Sequence, residues 1–401
     1  MVMVDALRHD YINETDAPFL HSLGRQGARG SLIPSFGFEP DGAYFAGLDP
    51  EECDGGAQYW HKPGERDFYL TGLFRPFYKI PSKWLRKNIR RSLRLTAQLL
   101  SKDSMVKKKA TTSCIPLSEL SKFSLSMRKL PTDKGFMPQP TIFDVLKENN
   151  IKYYAHIHPA HKVHIENVVS RYIEEAKDSE RFSFLFVGTL DGIGHKYGPR
   201  SDELKAGLKK VDHGLEEIYK HACKLHDEVE ILVFGDHGMA QVDRHIDLSN
   251  AIKMANLSKN DDTYFLDSTF ARFWVSDKTK RANLINILND VPGGHVLTQD
   301  ECNEYCIRFK HNYFGDIIYA VEDGAIIQPS YYCEDNNPPV GMHGYLPGCR
   351  DNESAFVFLS DKTKGIGDLG RVDMRRLFPT VLDALDLIEN TNIPHDLKCL
   401  V

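Results

Sequence analysis

Three short apolar runs, each leading into an aspartate, constrain this chain more than any other feature. Met1–Ala6 delivers Asp5, Phe182–Leu190 stops at Asp191, and Glu230–Phe234 stops at Gly235-Asp236-His237. Between and around them lie segments with apolar residues at helical spacing. Asp16–Gly24 puts Phe19, Leu20 and Leu23 on one face with Pro18 in its first turn; Thr141–Glu148, Ile165–Ala176 and about Asp202–Leu225 follow the same period. Gly30–Ile33, Lys152–Ala155 and Ser354–Leu359 read as further strands, with helices expected from Pro40 and near Met374–Leu385. Short apolar strands alternating with amphipathic helices predict an α/β fold: a mostly parallel central sheet flanked by helices on both faces. Ligands of such sheets sit outside the carboxyl ends of the strands, so the strand-end acids are the residues to examine.

The alternation breaks twice, which predicts a core in three pieces (1–50, 137–261 and 337–401) with a basic, partly helical insertion at 51–136 and a small α+β insertion at 262–336. At 401 residues the chain can bury a sizeable core, and 41% hydrophobic with 26% charged residues excludes collagen-like, coiled-coil and globally disordered chains. No run of 18 apolar residues exists, and Met1-Val2-Met3-Val4-Asp5 lacks the basic leader of a signal peptide. Eight scattered cysteines without paired CxxC spacing predict free thiols and a cytoplasmic setting.

The net charge of −6 hides an asymmetry, because residues 71–110 hold twelve Lys/Arg against one acid, Asp103. Charge this localised does not predict specific nucleic-acid binding. Placed on a helix, Lys83–Leu100 separates Trp84, Leu85, Ile89, Leu93, Leu95, Leu99 and Leu100 from Lys83, Arg86, Lys87, Arg90, Arg91 and Arg94. Residues 75–109 are therefore expected to form helices beside the cleft. They serve either as a cap or as a contact to an anionic membrane surface or lipid-linked substrate, peripheral to the membrane.

Two of the strand-end acids have histidine company. Asp191-Gly-Ile-Gly-His195 spaces a carboxylate and an imidazole four residues apart, with glycines that suggest a tight loop; Asp236-His237 sets them side by side at a turn. His343 lies in Gly341-Met342-His343-Gly344-Tyr345, again between glycines. Carboxylate and imidazole donors without thiolate suit zinc, or manganese and iron, and two such sets can make a two-metal cluster of the phosphoryl-transfer kind. A strand-end aspartate is also a common helix cap, and a histidine is commonly a surface or satisfied core group. The residues alone leave both readings open.

Asp5 after an apolar strand, Asp191-x-x-x-His195-x-x-Gly-Pro199, Gly-Asp236-His237-Gly-Met and Gly-x-His343-Gly-Tyr345 occur in an order and spacing that resembles the type I phosphodiesterase/nucleotide pyrophosphatase branch of the alkaline phosphatase superfamily. The segment Arg371–Leu387 is similar to that superfamily's last helix, and the match extends over roughly residues 1–50, 137–260 and 337–390. The resemblance implies an alkaline phosphatase-like fold and a metal-dependent hydrolase of anionic phosphoesters, working with two divalent ions, zinc first. It implies one ion on Asp191, His195 and His343 and the other on Asp5, Asp236 and His237.

One position departs from that pattern. The family's Thr or Ser nucleophile falls on Gly37 when counted back from Gly47, and on Phe38 when aligned on Pro40. Ser35 and Glu39 are the neighbours able to act. Ser35 would need a rearranged loop, while Glu39 at the mouth of the next helix can reach a metal or orient a water, so the expectation is a water route supported by Glu39. A silent phosphoester-binding, membrane-associated protein and a phosphotransferase or phosphomonoesterase on the same scaffold are the alternatives.

Overall fold

The computed structural model describes residues 1–62, 115–157, 163–257, 262–333, 337–391, 393 and 397–401, together with 88 and 92. In chain order its main strands are β1 (Val2–Val4), β2 (Ala28–Ile33), β3 (Tyr153–His156), β4 (Phe182–Val187) and β5 (Ile231–Phe234). Then come β6 (Thr263–Leu266), β7 (Phe270–Trp274), β8 (Gly294–Val296), β9 (Ile317–Val321), β10 (Ser354–Leu359) and β11 (Gly367–Asp373). The helices that cover them are α1 (Pro18–Gln26), α2 (Asp41–Ala46), α3 (Ile142–Glu148), α4 (Ile165–Glu175), α5 (Thr189–Tyr197), α6 (Asp202–Leu225) and α7 (Leu377–Ala384).

The seven-stranded sheet runs β11–β2–β10–β5–β1–β4–β3. Its β3–β4, β4–β1, β1–β5 and β2–β11 pairs are parallel, and only β10 runs against its neighbours. The fold is thus α/β with a mostly parallel central sheet, as the alternation of elements predicts. β1, Val-Met-Val, is buried on both faces, as a central strand between two helical layers must be. On one face Leu20, Val168, Leu208 and Leu215 of α1, α4 and α6 pack on the sheet. On the other, Phe45, Phe143, Leu146 and Phe378 of α2, α3 and α7 do so.

Helix ends follow local chemistry. Ser201 caps α6, its hydroxyl accepting from Leu204 N at 3.1 Å, with Asp202 and Glu203 in the first turn. Ala17 before α1 has no side chain to cap with. Instead Asp212, buried on α6, accepts from Phe19 N and Leu20 N at 2.9 Å each, so one helix satisfies the open end of another.

Two local expectations are corrected. The run Phe182–Leu190 is not one strand; β4 ends at Val187 and α5 begins at Thr189, carrying Asp191 and His195 inside it. The glycines there do not make a tight loop. A Cβ at Gly194 would meet Met239 Cε at 2.9 Å, so that glycine serves helix packing, while Gly192 faces open space. The edge strand β11 escaped the sequence because its polar stretch with two glycines is half exposed and carries no apolar alternation.

A second sheet, β6–β7–β9–β8, is antiparallel throughout. Arg272 on β7 is wholly buried there; its Nε donates to Asp267 at 2.8 Å and its Nη1 to the carbonyl of Tyr59 at 2.8 Å, which ties the sheet to the segment at 59–60. Lys83–Leu100 and the 75–109 segment lie outside the described residues apart from 88 and 92. Among the described residues no helix is long and apolar enough to cross a membrane.

Candidate metal centre

β1, β5 and the start of α5 deliver three carboxylates to one edge of the main sheet. Asp5 follows β1 and is pinned there by its own N–H, which donates to Val187 O at 2.9 Å. Asp236 follows β5, and its Oδ1 accepts from Ala6 N at 3.2 Å and His237 N at 3.0 Å. Asp191 and His195 share a face of α5 at i and i+4, with Asp191 Oδ1 3.1 Å from His195 Nε2.

The three imidazoles close the cluster. His237 Nε2 lies 3.3 Å from Asp5 Oδ1 and 3.6 Å from Asp236 Oδ2. His343 Nε2 lies 3.7 Å from Asp191 Oδ1, and its ring stacks on His237 at 3.6 Å and 4°. His195 Nδ1 and His237 Nδ1 each meet a backbone oxygen at 2.8 Å, that of Gly341 and Gly238 respectively. All six residues singled out in the sequence therefore meet at one place.

Charge interplay inside this buried cluster is strong. Burial opposes the protonated form of His237, but the Asp236 and Asp5 carboxylates outweigh it and push its pKa up to about 10. Burial, with Asp5 alongside, pushes Asp236 up to about 7, and burial with Asp191 alongside raises Asp5. Burial and the neighbouring His237 hold His343 well below the usual imidazole range. Burial acts against the Asp191 carboxylate, yet His195 and His343 keep it well below the ordinary carboxylate range.

The donor set fits divalent metal. Among the described residues, two triples of donor atoms lie within 4.8 Å of one another: Asp191, His237 and His343, and Asp5, Asp236 and His237. The second is the set the resemblance implies. The first differs in one member, since His237 takes the place of His195, which instead sits against Asp191. His343 Nδ1 is buried without a hydrogen-bond partner, and a neutral imidazole among carboxylates is ligand chemistry for zinc, manganese or iron.

A cleft of about 810 Å³ opens over the cluster, walled by Phe38, Glu39, Asp41, Tyr332 and the Pro338-Pro339 segment. Glu39 lines it, with Ser126 Oγ donating to Glu39 Oε2 at 3.3 Å. Ser35 sits in the loop after β2 and is not among the lining residues. Gly37 has φ +100°, and a Cβ there would stand 1.9 Å from Gly56 O, so position 37 has no room for a side chain. Phe38 is committed to an aromatic wall with Phe270 at 5.3 Å and His343 at 5.4 Å. Sequence reasoning missed Ser268, Tyr332 and Asn337 in this lining; the Pro338-Pro339 pair, a rigid loop signal, was the one hint available.

Comparison with known proteins places the chain. The family model described as type I phosphodiesterase / nucleotide pyrophosphatase matches residues 56–346. The mouse ectonucleotide pyrophosphatase/phosphodiesterase family member 7 is 31% identical over 179 residues, 43% of this chain and 40% of that protein. The Xenopus laevis bis(5'-adenosyl)-triphosphatase enpp4 is 33% identical over 188 residues, 45% of this chain and 38% of that protein. The chain thus spans about two-fifths of the length of these relatives. Human ectonucleotide pyrophosphatase/phosphodiesterase 5 superposes with a TM-score of 0.70 at 16% identity, covering 99% of this chain and 96% of that one. The murine protein 5, solved as an inactive threonine-to-alanine variant with AMP, gives 0.70 at 18% identity over the same shares. With more than half of its residues inside the family match, the chain belongs to the type I phosphodiesterase/nucleotide pyrophosphatase family of the alkaline phosphatase superfamily.

Proposed function

We propose that the chain is a two-metal phosphodiesterase or nucleotide pyrophosphatase, and that it cleaves its phosphoester without a side-chain nucleophile at the usual position. The observation that carries this is the convergence of three aspartates and three histidines beneath one cleft. Asp191, His195 and His343 would hold one divalent ion and Asp5, Asp236 and His237 the other, with zinc the best match to the donors. Two ions so held would supply Lewis-acid polarisation of the phosphoryl group and acidify a water.

This chain's residues would do the rest. Glu39 orients the attacking water and takes its proton, while Ser126 fixes the carboxylate by donating to its Oε2. Phe38, Tyr332 and the 338–339 segment wall the cleft and limit the water that enters. Position 37 carries no side chain, which supports a direct route over a covalent one. A phosphodiester or nucleotide pyrophosphate is the substrate class, in keeping with the relatives' names. Contact of the basic 75–109 segment with an anionic membrane or lipid-linked substrate rests on charge pattern alone. A cytoplasmic setting draws support from the free thiols among the described cysteines.

The test compares Ser35→Ala with Glu39→Gln on a chromogenic bis-ester, with and without chelator, while trapping intermediates. Glu39→Gln is expected to lower kcat by about 10²–10⁴-fold, the range of general-base catalysis, and Ser35→Ala to leave it unchanged. A phosphoryl adduct on Ser35 with Glu39→Gln fully active would overturn the water route.

A further inference from the structure

Gly344, the residue that follows His343, is held at both its N–H and its carbonyl. Thr269 Oγ1 donates to Gly344 O at 2.7 Å, and Gly344 N donates to Asn352 Oδ1 at 2.8 Å. Both side chains are buried, Thr269 at 2% and Asn352 at 1% exposure. They come from different layers: Thr269 enters β7 of the second sheet, and Asn352 precedes β10 of the main sheet. Asn352 also accepts through its own carbonyl from Gly238 N at 2.8 Å, the residue after His237. It therefore lies under both members of the His237–His343 stack.

The three histidines are not held alike. The rings of His195 and His237 are each fixed by a backbone oxygen at Nδ1, the usual way a ligating imidazole is aimed. The His343 ring has no such bond. Its direction must come from its backbone and from packing: Gly344 at φ +81°, where a Cβ would press to 2.5 Å on Phe38, and the Phe38 ring edge-on at 80°.

We infer that Thr269 is a positioning residue for the metal centre, its hydroxyl carrying the placement of the second sheet to His343 through Gly344. The inference rests on the two-metal reading above. Asn352 touches the loops of both His237 and His343, so it serves both ion positions. Among the described residues the Thr269 hydroxyl bonds to the His343 loop alone, while its carbonyl accepts from Val321 N within the second sheet, so it serves the position that His343 shares with Asp191. The outer sheet thereby sets one half of the centre and leaves the half on Asp5 and Asp236 to the main sheet.

The experiment titrates zinc into the metal-free chain against a chromogenic chelator, for the unsubstituted protein, Thr269→Val and Thr269→Ser. Two equivalents are expected for the unsubstituted chain. Thr269→Val, which keeps shape and loses the hydroxyl, should weaken one of them by about 10–100-fold, the usual cost of losing a supporting bond behind a ligand, and spare the other. Thr269→Ser should restore both, and saturating zinc should return most of the turnover lost in Thr269→Val. Melting of the metal-free forms checks folding, with Thr269→Ala taking the place of a valine variant that does not fold. Two unaltered affinities in the valine variant, equal weakening of both, or a serine variant no better than valine would overturn the inference. An unsubstituted chain that binds no zinc overturns the two-metal reading itself and the inference with it.

Discussion

The cluster's histidines differ most in protonation, and that difference should show in metal uptake. In the metal-free protein Asp236 and Asp5 push the His237 pKa up to about 10, which favours its protonated form at neutral pH, and burial with Asp5 alongside raises the Asp236 carboxyl. Metal requires the neutral imidazole and the free carboxylate, so binding must expel these protons. The sign follows directly: affinity rises as pH climbs toward 10 and falls as it drops below 7. Between pH 7 and 9 zinc affinity should climb by about tenfold per pH unit from His237 alone. Competition titrations at three pH values check this, and a flat profile would contradict it. These six candidates could be singled out in the sequence because each sits beside glycine or a strand end. The protonation states were not, since they depend on which carboxylate ends up against which ring.

At the scale of elements, the α5 helix turns an i, i+4 spacing into a 3.1 Å contact between Asp191 and His195. The spacing was visible; the helix was obscured by Gly192 and Gly194, which usually argue against one. Cross-element support is harder still to read. Asp212 on α6 caps α1 across 192 residues of sequence or more, and nothing local at Ala17 announces it. Replacing Asp212 with Ala strips two buried N–H groups of a charged acceptor, and a loss of about 2–4 kcal/mol in unfolding free energy is expected. Urea unfolding measures it, and a change below about 0.5 kcal/mol would show that solvent or another group satisfies these donors.

Across the whole molecule, the proposed ions would join segments far apart in the chain, from Asp5 to His343. Bound metal should therefore stabilise the fold, by about 2.7 kcal/mol per ion at a hundred times its Kd, and a chelator should lower Tm measurably. Coincident melting curves with zinc and with chelator would sink that expectation. The sequence by itself determined the α/β class and the six ligand candidates, because apolar period and strand-end acids are local signals that any compact arrangement must respect. Three things were decided only by tertiary structure. The fully buried Arg272–Asp267 pair fastens the second sheet to the 59–60 segment, Gly56 closes off any side chain at position 37, and Thr269 and Asn352 converge on Gly344. Arg272 reaches Tyr59 across 213 residues and Thr269 reaches Gly344 across 75, and the shorter-range contacts are likewise fixed by how layers pack, which no period or spacing along the sequence encodes.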